Sequence, residues 1–156
     1  MSRRMLLLLV AAVSMVSAQK YDGPLPPKPD LPYLKHASEL IPTEAADARD
    51  EKGKKEEITY IIPGLNSSAK TPLASPIFLM QADKISADRL GLYKLESKKD
   101  HREIVFSPKK QPKPIRIEVT RLSGNVYKIE VDDSLEPGEY SLSPSDSNKV
   151  FCFQVF

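Results

Sequence analysis

The 156 residues contain no tryptophan, one cysteine and two histidines. A lone cysteine, Cys152, cannot form an internal disulfide, so apolar packing must hold the fold together. His36 lies beside a proline-rich stretch and His101 in the polar turn Lys98-Lys99-Asp100-His101-Arg102. Neither sits in a motif that would hold it between a nucleophile and a carboxylate, and there is no G-x-S-x-G. No enzyme is expected, and no catalytic residue is assigned. H-E-x-x-H, C-x-x-C and EF-hand spacings are also missing, so neither a cofactor nor a metal is assigned. A calcium ion shared by Asp132, Asp133 and Asp146 would have to be assembled from separate loops. Asp132 and Asp133 cannot grip one bond together, because neighbours on a strand point to opposite faces.

Long apolar runs are scarce too. The stretch from Met5 to Val16 is too short for ~30 Å of hydrocarbon, which takes about 20 helical residues. With Arg3-Arg4 before it and the small residues of Val16-Ser17-Ala18 after it, this stretch reads as a secretory signal peptide over residues 1–18. The short basic end and the strongly apolar middle favour the Sec route over the twin-arginine route, and the destination is periplasmic or extracellular. The candidate strands span five to seven residues, against the about 9–11 of a membrane β-barrel strand, so no integral membrane protein is expected. Cleavage would take two of the 23 basic residues and no acid, leaving as many acids as bases. A neutral domain has no global field to gather polyanions, so nucleic acid is not expected as a partner.

Five prolines between Tyr21 and Tyr33 predict an extended linker over residues 19–34. Residues 35–56 are charged, with too few apolar positions at helical spacing for a stable face. A short helix after Thr43, stopped by Gly53, or a disordered stretch is expected there. From residue 57 the texture changes to short apolar runs between turn residues. Candidate strands are Ile58–Ile62, Ile77–Gln81, Arg89–Leu95, Arg102–Ser107, Ile115–Arg121, Val126–Asp132, Glu139–Ser143 and Val150–Phe156. That spacing predicts an all-β fold, a single antiparallel sandwich of about seven or eight strands over residues 57–156, behind a mostly irregular N-terminal region.

One hairpin is specified in detail. Ile115, Ile117 and Val119 alternate with polar residues, and so do Tyr127, Ile129 and Val131. A three-residue loop, Leu122-Ser123-Gly124, would pair Val119 with Tyr127 and Ile117 with Ile129, with Gly124 in the left-handed position. Leu135-Glu136-Pro137-Gly138-Glu139-Tyr140-Ser141-Leu142 then resembles the tyrosine corner of immunoglobulin-like and fibronectin-type sandwiches. The resemblance implies a Tyr140 hydroxyl bonded to upstream backbone, with Pro137 and Gly138 forming the turn. It implies architecture and no chemistry. The chain after the leader also resembles small exported bacterial proteins of unassigned role.

Seven basic and two acidic residues fall between Lys98 and Arg116. Lys109, Lys110, Lys113 and Arg116 make a candidate contact patch, although Pro108, Pro112 and Pro114 suit a loop that protects a sheet edge. The leading expectation is a non-catalytic exported binding or structural module that recognises a protein or a cell-surface polymer. A carbohydrate- or small-ligand-binding module using Tyr60 or Tyr93 ranks second, and a secreted hydrolase third. Self-association would run through an edge strand or through Cys152, which is expected to face away from the core with Gln154.

Overall fold

The computed structural model describes residues 20–156, so the leader expected over residues 1–18 lies outside the described residues. Thirteen strands follow in order. They are β1 (Tyr33–His36), β2 (Glu39–Pro42), β3 (Glu44–Asp47), β4 (Arg49–Lys52), β5 (Ile58–Pro63), β6 (Lys70–Thr71) and β7 (Ile77–Gln81). After a short 3-10 turn at Ala87–Arg89 come β8 (Leu90–Ser97), β9 (His101–Phe106), β10 (Ile117–Ser123), β11 (Val126–Val131), β12 (Gly138–Pro144) and β13 (Lys149–Val155). Among the described residues no helix is long and apolar enough to cross a membrane.

The fold is an all-β sandwich, compatible with an immunoglobulin-like arrangement. One sheet has the order β10-β11-β7-β1-β2, and the other β3-β13-β12-β8-β9-β5-β4, with β6 parallel beside β13. Alternation explains the main core. Leu34, Phe78, Met80, Ile129 and Val131 face inward from the first sheet and meet Leu90, Leu92, Tyr140, Leu142, Phe151, Phe153 and Val155 from the second. Phe78 contacts Phe153 edge to face across the layers at 4.9 Å. Each such buried side chain contributes about 1.5–3 kcal/mol.

A second core lies on the opposite face of β8, β12 and β13. Ala48, Ile62, Leu95, Val150 and Cys152 form it, with Ala46, Tyr60 and Ile104 packed against it. These three strands are therefore covered on both sides where they overlap, which is why β12 and β13 are buried over nearly their whole length. The covering layer is β9, β5 and β4. Since β3 and β4 are joined by Ala48 alone, the two ends of the long sheet are halves of one segment, Glu44–Lys52. The sheet is thereby turned back on itself around the second core.

Three expectations need correction. The charged segment over residues 35–56 is mainly strand rather than helix or disordered, and from Tyr33 to Lys52 the N-terminal region is built into both sheets as β1–β4, while residues 20–32 are irregular as expected. Its alanines and charges have little strand propensity, but β13 and β5 offer unpaired backbone edges that fix it, registering Phe151 with Ala45 and Tyr60 with Asp50. The expected linker is packed over its described residues, 20–34, rather than a free spacer. Pro26 and Pro32 are buried, Asp30 N–H donates to the Gln81 carbonyl at 2.7 Å, and the Thr43 hydroxyl donates to the Pro32 carbonyl at 2.7 Å. Asp30, at φ 59°, also accepts N–H bonds from Asp83, Lys84 and Ile85 at 2.8–3.0 Å through Oδ1. Partial burial would raise its carboxyl, but these donors and the Lys84 charge outweigh that and hold it below the usual range.

The hairpin keeps the expected face and slips by two residues. Ile117 pairs with Val131 and Val119 with Ile129, while Arg121 lies opposite Tyr127. The loop is Gly124-Asn125, and a bulge lies between Arg121 and Ser123. Gly124 is left-handed, φ 53°, as its place in the turn requires. The Arg121 side chain donates to its carbonyl at 2.6 Å and ties the strand end to the turn.

Candidate functional site

The space enclosed by the long sheet is only partly filled. β8 and β9 pair through two rungs, Glu96 with Glu103 and Ser97 with Arg102, and then diverge. A cavity of about 1100 Å³ opens between them. Alternation places Gly91 and Tyr93 of β8, Ser141 and Ser143 of β12, Val150 of β13, Tyr60 and Ile62 of β5, and Ile104 and Phe106 of β9 on its walls. Ile115 crosses the seam, where its N–H donates to the Leu92 carbonyl at 2.7 Å. Phe106 is flanked edge-on by Tyr60 and Tyr93, with ring centroids 5.6 and 5.8 Å away. The wall also carries a pair of hydroxyls, Ser141 Oγ and Ser143 Oγ, 3.0 Å apart.

Further along β9, on the face of Ile104 and Phe106, lies a cluster of buried charge. Arg102, fully buried, donates through Nη2 to Glu44 Oε1 at 2.6 Å and to the Pro63 carbonyl at 2.7 Å, and through Nε to the Gly64 carbonyl at 2.9 Å. Its Nη1 makes no hydrogen bond and stands 3.7 Å from Glu139 Oε2. Glu139 also accepts the Ser67 N–H at 3.2 Å, and Glu44 accepts the Ser68 N–H at 3.0 Å. Burial raises the Glu139 carboxyl; the Ser67 N–H and the Arg102 charge oppose this without cancelling it. The cluster joins β9 to β3, β12 and the end of β5, so it fastens the covering layer to the sandwich. Nothing in the sequence pattern pointed to it, because its charged members Glu44, Arg102 and Glu139 are 37 to 95 positions apart.

The cavity has an open rim carrying Asp88, Arg89, Arg116, Asp146, Asn148 and Lys149. Arg89 pairs with Asp146 at 3.4 Å and Arg116 with Asp132 at 3.0 Å. The candidate contact patch borders this rim. Lys109, Lys110 and Lys113 are exposed on the loop that leaves the cavity wall at Phe106 and rejoins it at Pro114, and Arg116 belongs to the wall itself.

The remaining sequence candidates lie elsewhere. His36 bonds Thr71 Oγ1 at 2.9 Å. His101 lies at the β8–β9 tip between Asp100 at 2.7 Å and Glu103 at 2.9 Å, two bonds that raise its pKa. Asp133 only accepts the Ser75 hydroxyl at its carbonyl, so Asp132, Asp133 and Asp146 each have separate partners. Tyr140 donates to the Glu136 carbonyl at 2.7 Å and stacks on Phe153. Cys152 faces away from the main core, as expected, yet it is fully buried in the second core, and that burial pushes its thiol up to about 12. No folded surface presents it, which removes it as a route to self-association.

No family model, curated protein or solved structure matches the chain.

Proposed function

We propose that this chain is a non-catalytic exported binding module of the immunoglobulin-like kind, and that the lumen beneath β4, β5 and β9 is its ligand seat. The observation that carries the reading is a cavity of about 1100 Å³ with largely apolar walls and a polar rim. Ligand sites are usually concave, largely apolar and about 300–1,000 Å³ in size, and barrel mouths are among their common positions. Such a space favours a small ligand over the protein or surface polymer that ranked first from sequence. The sugar reading gains no support from Tyr60 and Tyr93, which are half-buried and pack edge-on with Phe106 at 87° and 70°. A hydrolase finds little support in a Ser141 hydroxyl whose partner is another hydroxyl. The bond from Tyr140 to Glu136 supports reading residues 135–142 as a tyrosine corner.

An uncharged solvatochromic dye titrated into the purified protein tests the seat. Saturable, blue-shifted fluorescence is expected at one dye per chain, and it should be lost in Ser143→Phe, which fills the lumen from β12. Absence of saturable binding to folded wild-type protein would remove the lumen as a ligand site.

A further inference from the structure

The charge around the rim narrows the ligand class, provided the lumen is the seat proposed above. Among the described residues Lys109, Lys110, Lys113 and Lys149 form no ion pair, whereas Arg89 and Arg116 are each matched by an aspartate. Asp88 on the rim and Asp50, which accepts the side-chain amide of the rim residue Asn148 at 3.1 Å, are the carboxylates there outside any ion pair. One unpaired ammonium group, Lys149, therefore stands on the rim itself, and three more follow on the exposed loop that joins the wall residues Phe106 and Pro114, against the carboxylates of Asp88 and Asp50. The walls below carry no charged side chain, and their side-chain polar groups are the hydroxyls of Ser141, Ser143, Tyr60 and Tyr93.

From this segregation we infer that the ligand is an anionic amphiphile, with its apolar tail in the lumen and a carboxylate or phosphate head at the rim among Lys149 and the Lys109–Lys113 loop. A tail without a head would leave the rim cations unused. A polar ligand without a tail would lose its hydration against Tyr60, Ile62, Ile104 and Phe106 without recovering hydrogen bonds. The head would stay near water, where its attraction to the lysines weakens with added salt.

Displacement of dansyl-undecanoic acid from the purified protein tests the inference, with dodecanoate, dodecyl phosphate and dodecanol as competitors. Both anions are expected to compete about tenfold more tightly than the alcohol, with an advantage that shrinks as salt rises. Replacing Lys109, Lys110 and Lys113 together by Gln should weaken the anions toward the alcohol and leave the alcohol unchanged. Ser143→Phe and Ile104→Trp should abolish all three while circular dichroism stays native, and two lumen-filling variants guard against one that fails to fold. Equal competition by acid and alcohol would overturn the anionic head while keeping the lumen. If neither the probe nor the uncharged dye binds folded protein, the lumen itself fails as the seat. Co-sedimentation with phosphatidylglycerol vesicles separates the sources. A free amphiphile requires binding of monomeric dodecanoate without vesicles, and capture by vesicles alone would contradict the inference.

Discussion

The Tyr140 hydroxyl is held by a single backbone carbonyl, that of Glu136, while its ring lies in the main core against Phe153. Tyr140→Phe keeps the ring and deletes the bond, so a loss of about 1 kcal/mol in chemical denaturation is expected. Glu139, the preceding residue, faces the other way into the buried cluster. Its pKa is raised in the fold, chiefly by burial, so the folded state favours the protonated form. The stability this adds is complete below the ordinary glutamate range and is lost as pH rises through the raised value. Glu139→Gln should remove that dependence. Its melting temperature relative to wild type is therefore expected to improve between about pH 4 and about pH 7. A difference that stays flat across the interval would mean that Glu139 is not buried as described.

At the scale of elements, the β1–β2 turn carries a cost that one substitution can test. Ala37 occupies the left-handed region at φ 53° in the two-residue loop between His36 and Glu39. A side chain there costs about 1–2 kcal/mol, so Ala37→Gly should stabilise, by about 1 kcal/mol after the greater freedom of glycine in the unfolded chain is counted. The same elements show what was legible in the sequence. All eight strands read from residue 57 onward are present, because period-two alternation and Pro or Gly punctuation are local signals. β1–β4 were not legible, since Glu44–Lys52 is strand by virtue of the edges it meets and not by its own alanines and charges. The hairpin face was legible and its register was not. Parity fixed Ile117, Val119, Ile129 and Val131 to one side, whereas the bulge before Ser123 shortened the loop and shifted the pairs by two.

For the molecule as a whole, the lumen exists because one segment serves two neighbours. Glu44–Asp47 extends β13, Arg49–Lys52 extends β5, and Ala48 turns between them into the second core. The sandwich core could be foreseen from the alternating strands, but the closure could not, because it depends on pairings such as Cys152 with Glu44, over a hundred positions apart. Part of the candidate site was visible. The lysines of residues 109–113 and the tyrosines Tyr60 and Tyr93 stood out in sequence, while the serine pair and the Arg102 cluster emerge only when β12, β9 and β3 come together. Residue-resolved hydrogen exchange across residues 44–52 tests the closure most directly. Slow exchange at alternating amides in both Glu44–Asp47 and Arg49–Lys52 is the expected result, one half protected by β13 and the other by β5. Uniformly fast exchange across the segment would contradict the closure, and with it the lumen.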